Sequence, residues 1–295
     1  MRTGTKLILG TLLTGSALFA DVTTLLPYTA LLQYDSSANV SAKDKGSIVG
    51  MYFSHGNLDY LFELDYARTN ISYKLNTDPD LVQDDITVAY SRYYESFFIK
   101  GGVHYIGTTD LDMGDGLTFM ATVGGYQWQG YDKISYTFDT YYTQYKDGYN
   151  DAGIKSEVAI IQLSPNFTYS KAINTDTRNN IHVKLNYQVT NDYLQDNYFS
   201  YEIQDTLYYK SFFANAKFIG GEMISGVRDN GYTAFNTKDV IKNSYGVKLG
   251  YYFNPNNLLT VGYDVNNYQE YAPINAGYLD NGSFSVASFT YTYTY

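Results

Sequence analysis

The chain has 295 residues, of which 18% are aromatic and 17% charged, and its formal net charge at pH 7 is -10. The absence of cysteine excludes a disulfide framework and thiolate metal sites. After residue 20, no stretch approaches the roughly 18 consecutive apolar residues of a membrane-spanning helix, which excludes a helical membrane protein. The 35 tyrosines and only 5 prolines favour a β-barrel with aromatic girdles over a soluble β-sandwich or β-helix.

The first 20 residues have the pattern of a cleavable secretory signal. Arg2 and Lys6 give a basic start, a short Leu- and Ile-rich stretch follows, and small residues precede Asp21. The apolar core is too short to cross a membrane as a helix. We therefore predict a signal peptide over residues 1–20, cleaved after Ala20, and a single transmembrane β-barrel domain over residues 21–295.

Alternation of apolar and polar residues between turn signals predicts an all-β, antiparallel up-and-down barrel of about 14 strands, with 12 to 14 compatible with the pattern. The first segment, around Pro27, has the weakest pattern. The predicted strands are 24–34, 46–54, 57–69, 84–93, 96–107, 117–127, 132–143, 156–168, 180–190, 198–208, 211–221, 243–253, 257–267 and 284–295.

Short and long connections alternate along these segments, as the turns and loops at the two ends of a barrel do. The connection 170–179 breaks the rule, because it is long where a short turn is expected. The longest connection, 222–242, is the best candidate for a lid or an inward-folding constriction, and a mobile surface loop is the alternative.

The clearest strands have one uncharged face. In 181–189, 245–253 and 259–265, the odd-numbered residues are apolar or aromatic, which suits contact with lipid. Two charged residues, Arg92 and Asp205, fall on this outward face. A bulge or an early strand end would accommodate Asp205, and Arg92 lies close enough to a turn to extend to the membrane interface.

The chain ends on an alternation in which Phe289, Tyr291, Tyr293 and Tyr295 are separated by threonines. Such a strand has one aromatic face and one small polar face. It resembles the closing strand of a Gram-negative outer-membrane β-barrel, in which a terminal aromatic residue is the usual assembly signal. The resemblance implies localisation in the outer membrane, with outer-membrane lipid, lipopolysaccharide and the barrel assembly machinery as partners.

The inward face carries charges of both signs, which implies hydration, because an unpaired charge in a dry interior is very costly. About fourteen strands should leave a pore unless loops or side chains block it. The alternative is that the charges pair across a closed, structural lumen. Asp59 is a further inward candidate. The candidate pore-lining residues are Glu63, Asp65, Lys100, His104, Asp139, Lys184, Glu202, Lys217, Lys248 and Asp264.

Acidic residues are concentrated in the predicted long connections. An acidic mouth attracts cations within about 8 Å at physiological salt, so we expect weak cation preference if the pore is open. The alternative is that these residues keep the loops soluble and bind divalent ions between lipopolysaccharide phosphates. They are Asp78, Asp80, Asp84, Asp85, Asp110, Asp112, Asp115, Asp147, Asp151, Asp192 and Asp196.

No motif indicates an enzyme, a metal site or a cofactor. His55, His104 and His182 fall in separate parts of the predicted barrel, so no catalytic pair is expected. Asp110, Asp112 and Asp115 are spaced somewhat like a calcium loop, but Gly114 stands where a ligand belongs and no Glu closes the loop.

In size and organisation the chain resembles the monomeric fourteen-stranded porins. The resemblance implies a porin, a passive diffusion channel for small hydrophilic solutes, monomeric rather than trimeric, with ion transport, no cofactor and no nucleic-acid partner. The competing class is a non-conducting structural or adhesive surface barrel. An outer-membrane enzyme and a hydrophobic-solute transporter are less favoured, the latter because the chain before the first strand is too short for a folded hatch.

Overall fold

The computed structural model describes residues 21–35, 43–74, 80–109, 114–149, 155–191, 195–224, 226–228, 232–234, 239–271 and 278–295. Fourteen strands form a closed antiparallel barrel, and a separate two-stranded sheet, β12 (Val227–Arg228) with β13 (Thr233–Ala234), lies between β11 and β14. No helix in these ranges is long and apolar enough to cross a membrane. The barrel strands are β1 Val22–Tyr34, β2 Lys43–Gly56, β3 Tyr60–Tyr73, β4 Leu81–Tyr93, β5 Phe97–Thr108, β6 Gly116–Gln129, β7 Asp132–Tyr149, β8 Lys155–Ala172, β9 Thr177–Thr190, β10 Asn197–Tyr209, β11 Phe212–Ile224, β14 Val240–Asn254, β15 Asn257–Tyr271 and β16 Tyr278–Thr294.

The predicted fourteen-stranded antiparallel barrel is confirmed, and each predicted segment overlaps one barrel strand. The weakest segment, around Pro27, is a full strand that pairs with both β2 and β16 and so closes the barrel. Reciprocal backbone hydrogen bonds of 2.9 Å between Thr23 and Tyr295 extend this seam to the last residue. The prediction of a long connection at 170–179 was wrong, because β8 continues to Ala172 and only 173–176 remain as a turn.

The two ends of the barrel differ in their connections. Short turns, at 57–59, 94–96, 130–131, 173–176, 210–211 and 255–256, join the strands at one end, which also holds the start of β1 and the end of β16. We call this the turn end. The two-residue connection at 130–131 is possible because Gly130 has a φ of 65°, a conformation that glycine adopts without steric cost. The longer connections lie at the opposite end, the loop end.

The outer surface is an exposed band of apolar and aromatic side chains. Aromatic residues gather near the turn end, where Tyr94 and Phe97 stack with their ring centroids 4.5 Å apart and Trp128 is exposed. A continuous surface of this kind is stable against hydrocarbon rather than water. The proposed assembly signal lies on it, since all four of its aromatic residues are exposed, namely Phe289, Tyr291, Tyr293 and Tyr295.

The two charged residues predicted to lie on the outer face, Arg92 and Asp205, are found there. The expected bulge or early end at Asp205 was wrong, because β10 continues in register to Tyr209. Its carboxylate instead accepts a hydrogen bond from the Asn179 side-chain amide on the neighbouring strand. Arg92 is exposed next to the 94–96 turn, within reach of the membrane interface.

The barrel interior has two zones. Around its middle and turn end, the interior is lined by polar and charged residues, with the aromatic side chains of Tyr208, Phe213 and Tyr252 among them near the turns. At the loop end, inward side chains form two apolar clusters, which we call the loop-end core. The loop-end core consists of Leu32, Tyr34, Ile71, Leu81, Ile106, Tyr145, Val158, Ile160, Tyr198, Ile224, Val240, Ile241, Tyr268 and Phe284.

Candidate functional site: the barrel lumen

The chain enters the barrel between β11 and β14. The register of this strand pair shifts between Gly220 and Met223, and Gly221 has a φ of 91°, which a side chain would strain. Beyond this point the described residues contact the inner wall. We call the described residues between Met223 and Asp239 the inward segment. The predicted inward-folding constriction at 222–242 therefore agrees with the described residues, and the surface-loop alternative does not.

Two wall glutamines hold the inward segment by pairing with its backbone. The Gln188 side-chain amide donates to the Ile224 carbonyl at 2.8 Å, and its oxygen accepts from the Ile224 N–H at 3.1 Å. Gln162 makes the same pair of bonds with Val227, at 2.9 and 3.0 Å. Each amide thus satisfies both polar groups of one backbone residue, as a neighbouring strand would.

Apolar contacts complete this attachment. Ile224 is fully buried in the loop-end core. Val227 packs in a separate buried cluster with Ala89, Met120 and Tyr141, which project from three different wall strands. The described residues of the inward segment therefore contact strands on opposite sides of the lumen.

Tyr232 connects the inward segment to a charged pair on the wall. The Lys100 ammonium donates to the Tyr232 hydroxyl at 2.9 Å and forms a 2.9 Å ion pair with Glu63. Glu63 also accepts a 2.8 Å hydrogen bond from Tyr52, whose ring meets that of Tyr232 edge-on. Both charged side chains are about nine-tenths buried. The pair therefore depends on its own hydrogen bonds more than on water.

The C-terminal end of the inward segment is also bound to the barrel wall. Asp239 lies directly before β14 and forms a 2.7 Å ion pair with Lys43 of β2. The lysine ammonium also sits 5.6 Å from the centroid of the Tyr268 ring.

The other predicted pore-lining residues also lie inside the barrel. Lys217 and Asp264 form a 3.0 Å ion pair. Asp65 accepts a 3.0 Å hydrogen bond from the Tyr28 hydroxyl, and Lys248 is half-buried.

Asp139 is held by neutral donors. It accepts 2.8 and 2.7 Å hydrogen bonds from Thr122 and Asn166. Asp59, in contrast, is exposed in the 57–59 turn, so its predicted inward position was wrong.

His104 has a carboxylate partner that the sequence analysis did not foresee. Its Nε2 lies 3.2 Å from Asp85, and its Nδ1 lies 2.6 Å from the Thr87 hydroxyl. Asp85 was grouped with the acidic residues of the mouth, at the start of the predicted strand 84–93, but it lies inside β4 and points inward. The group is fully buried, with His104 only 1% exposed, so it joins β4 to β5 rather than facing open space.

The other two histidines lie apart from His104. Their Nδ1 atoms each lie 2.9 Å from a threonine hydroxyl, that of Thr23 for His55 and that of Thr168 for His182. Within the described ranges, no group of three or more His, Asp or Glu side chains is placed to hold a metal ion.

The acidic residues predicted at the mouth separate into three groups. Asp84 and Asp85 lie in β4, in agreement with the predicted strand 84–93 and not with their assignment to a loop, and Asp147 lies in β7. Asp115 accepts a 2.9 Å hydrogen bond from the Thr108 N–H. Asp80 and Asp196 are exposed beside strands. The rest lie outside the described residues, namely Asp78, Asp110, Asp112, Asp151 and Asp192.

A polar cavity of about 260 Å³ lies between the wall and the inward segment. Its wall is formed by inward residues of β8 to β11, from Tyr208 near the turn end to Asn186. Met223, Val227 and Arg228 cover it from the inward segment. Two of the predicted pore-lining residues, Lys184 and Glu202, line this cavity.

Solved structures with a similar fold support the architecture. The chain has the fold of a fourteen-stranded outer-membrane β-barrel. No protein-family model matches the sequence, and the comparison with curated proteins gives no match.

Several of the similar structures have TM-scores of 0.50 or more, among them the following three. The outer membrane protein Omp33 of Acinetobacter baumannii has a TM-score of 0.50 and 8% identity, over 93% of this chain and 99% of that one. A Pseudomonas aeruginosa FadL homologue has a TM-score of 0.50 and 12% identity, over 92% and 90%. A deltaS2 mutant of the monoaromatic hydrocarbon channel TodX has a TM-score of 0.54 and 10% identity, over 95% and 91%. At these identities the likeness concerns the fold alone.

Proposed function

We propose that this protein is a porin of the outer membrane, a passive diffusion channel for small hydrophilic solutes whose lumen is closed by the inward segment in the conformation described. The observation that carries the proposal is the polar cavity. A barrel built only for mechanical support has no need of a lumen lined by Lys184, Glu202 and neutral amides, and polar linings of this kind suit solutes that carry their own hydrogen-bonding groups. Similar barrels described as channels, such as TodX, support the proposal at the level of the fold.

The inward segment closes the lumen without being needed for the barrel wall. A channel is therefore a better explanation than a permanently closed barrel. Ile224 and Val240 are direct partners across β11 and β14, so the barrel wall is already complete where the inward segment leaves it. Apart from Met223 and Ile224, which end β11, the described residues of the segment lie outside the barrel strands. Its displacement would therefore leave the fourteen-stranded wall intact.

The test is a variant in which residues 225–239 are replaced by Asn-Gly, a sequence suited to a two-residue hairpin between paired strands. We expect the purified variant to give larger and more frequent conductance steps in planar bilayers than the unaltered protein. A variant lacking residues 75–79 controls for the shortening of a long connection. If neither the unaltered protein nor the 225–239 variant conducts despite correct insertion, the channel proposal fails.

A second candidate function is a non-conducting surface barrel. The ion pairs Glu63–Lys100 and Lys217–Asp264 and the loop-end core favour it, because together they seal much of the lumen. Silence of both proteins in the bilayer experiment would support this alternative.

We also propose a weak preference for cations, supported by the formal net charge of -10. The combined substitution Glu63→Gln and Asp65→Asn should lower the permeability ratio of K⁺ to Cl⁻, measured from the reversal potential in a KCl gradient. The matched variant Lys100→Gln should raise it. An unchanged ratio in both variants would contradict a role of these residues in selectivity.

A further inference from the structure

A groove of about 360 Å³ lies on the outer surface of the barrel near the turn end, across β10, β11, β14 and β15. This volume is within the range of small-molecule pockets in proteins. Outward side chains that are paired across the four strands line the groove in two rows. The row nearer to the turns is Tyr209, Phe212, Tyr251 and Leu259, and the other row is Leu207, Ala214, Leu249 and Val261.

The groove exists because Ala214 is small. It pairs with Leu207 on one side and Leu249 on the other, so a single methyl group stands between two larger side chains. In the row nearer to the turns, Phe212 and Tyr251 pack with their ring centroids 4.7 Å apart and border the groove on that side. No charged side chain and no side-chain amide lines it. The groove is therefore suited to a hydrocarbon chain.

A lysine without a counter-ion lies at the turn end of the groove. Lys210 follows Tyr209 in the 210–211 turn, and its exposed side chain places the ammonium 5.2 Å from the centroid of the Tyr209 ring. No ion pair or hydrogen bond joins this ammonium to another residue that the structure describes. Asp205 lies on the same outer face but further from the turns, outside the lining, and is bonded to Asn179. Positive charge thus stands at the membrane surface, directly beside the apolar groove.

The backbone of Lys210 is in a conformation that disfavours lysine. Its φ is 53°, and no other non-glycine residue in the described part of the chain has a positive φ. Two-residue hairpin turns require such angles, which glycine and asparagine adopt at lower cost than other residues. Lysine at this position therefore gives up backbone stability, and a role for its ammonium outside the chain accounts for this.

We propose that the groove binds an acyl chain of a membrane phospholipid with a negatively charged headgroup, whose phosphate lies against Lys210. The apolar groove complements the chain, and the unpaired ammonium beside it complements the phosphate. A headgroup with its own ammonium, such as that of phosphatidylethanolamine, offsets the phosphate charge and should bind less well. The proposal goes beyond the channel and does not depend on whether the lumen conducts.

The test compares two phospholipids that have the same acyl chains. Phosphatidylglycerol carries one negative charge, whereas phosphatidylethanolamine carries none overall. The purified protein in detergent micelles is titrated with each lipid, and the lipids retained per barrel are counted by native mass spectrometry. We expect one retained phosphatidylglycerol, bound about fivefold more tightly than phosphatidylethanolamine, as one lysine near the membrane surface provides.

Two variants and their matched controls locate the lipid. Ala214→Phe fills the groove and should abolish retention of both lipids, whereas Ala121→Phe, at an exposed alanine of β6 outside the groove, should not. Lys210→Asn should remove the preference for phosphatidylglycerol without destabilising the barrel, because asparagine tolerates a positive φ. Lys171→Asn, at an exposed lysine on β8 near the same end, should leave the preference unchanged. The altered mobility of unheated samples on gels checks that each variant retains its barrel.

The remaining outcomes overturn the proposal. Equal retention of the two lipids, retention of neither, or retention that survives Ala214→Phe would show that the groove is an ordinary part of the lipid-covered wall. A dimer in the mass spectrum that disappears in Ala214→Phe would assign the groove to a second copy of the chain. Lipid retention requires no conductance, so these results are independent of the bilayer experiment that tests the channel.

Discussion

The loop end and the turn end of the barrel interior are closed by different interactions. At the loop end, aliphatic and aromatic side chains pack together, and Ile224 brings the inward segment into this core. Each such buried side chain contributes about 1.5 to 3 kcal/mol, and close packing leaves little room for water. Towards the turn end, hydrogen bonds and ion pairs fix side chains in definite directions, and a cavity remains between them.

The difference indicates which interactions hold the lumen shut. Buried ion pairs contribute little net stability, because desolvation offsets much of their attraction, but breaking one leaves an uncompensated charge. Apolar packing has no such offset. We therefore expect substitutions in the loop-end core to release the inward segment, and substitutions in the polar zone to weaken the protein while mostly preserving closure.

The largest expected effect belongs to the polar zone. Lys100→Met leaves the Glu63 carboxylate buried without its 2.9 Å partner, so the free energy of unfolding should fall by about 3 to 5 kcal/mol. Chemical unfolding in micelles measures this. The double variant Lys100→Met and Glu63→Gln should recover most of the loss. A loss below 1 kcal/mol in the single variant would show that water reaches the pair and that the polar zone is more open than its burial indicates.

Ile224→Ala should have the next largest effect. Removing most of a fully buried side chain costs about 2 to 5 kcal/mol, and we expect this loss mainly to weaken the attachment of the inward segment. The protein lacks cysteine, so Val227→Cys provides a single labelling site that is buried while the segment is docked. We expect Ile224→Ala to accelerate labelling of this thiol by a hydrophilic maleimide and to raise conductance. Lys100→Met should accelerate labelling much less, and the reverse order would contradict the comparison.

Much of the fold could be predicted because contact with lipid repeats one constraint on nearly every strand. A shift by one residue in 181–189 would turn Lys184 and His182 towards lipid, so the alternation fixes both the register and the inward face. The loop-end core could not be predicted in the same way. Where both strand faces are apolar, as at Leu31 with Leu32 and Ile160 with Ile161, alternation no longer distinguishes the inward face from the outward face.

The lumen was less predictable because its contacts join distant parts of the chain. Asp85 was grouped with the acidic residues of the mouth, so it was missed as the partner of His104, although the two residues lie on adjacent strands. The positions of Ile224 and Val227 depend on the amides of Gln188 and Gln162, which pair with backbone groups and leave no trace in local periodicity. Position on a face follows from the pattern, but the partner of each inward side chain does not.

The glutamine contacts should have an intermediate effect. Gln188→Leu preserves much of the side-chain volume but leaves the N–H and carbonyl of Ile224 without partners, at a cost of about 1 to 3 kcal/mol. We expect faster labelling at Val227→Cys and more frequent channel openings. Gln204→Leu is the control, because this inward glutamine binds Glu202 rather than the inward segment. Equal acceleration by both variants would mean that general loosening, and not the backbone pairing, releases the segment.

The smallest expected effect tests the contact between the zones. Tyr232→Phe keeps the ring beside Tyr52 and over Lys100 but removes the hydroxyl that accepts the 2.9 Å hydrogen bond from the ammonium. Because Lys100 retains Glu63, the loss should be only about 1 kcal/mol. Labelling at Val227→Cys should therefore accelerate less than fivefold, and less than in Ile224→Ala. If Tyr232→Phe instead opens the channel as fully as Ile224→Ala, a single polar contact governs closure and the apolar core serves only to support the wall.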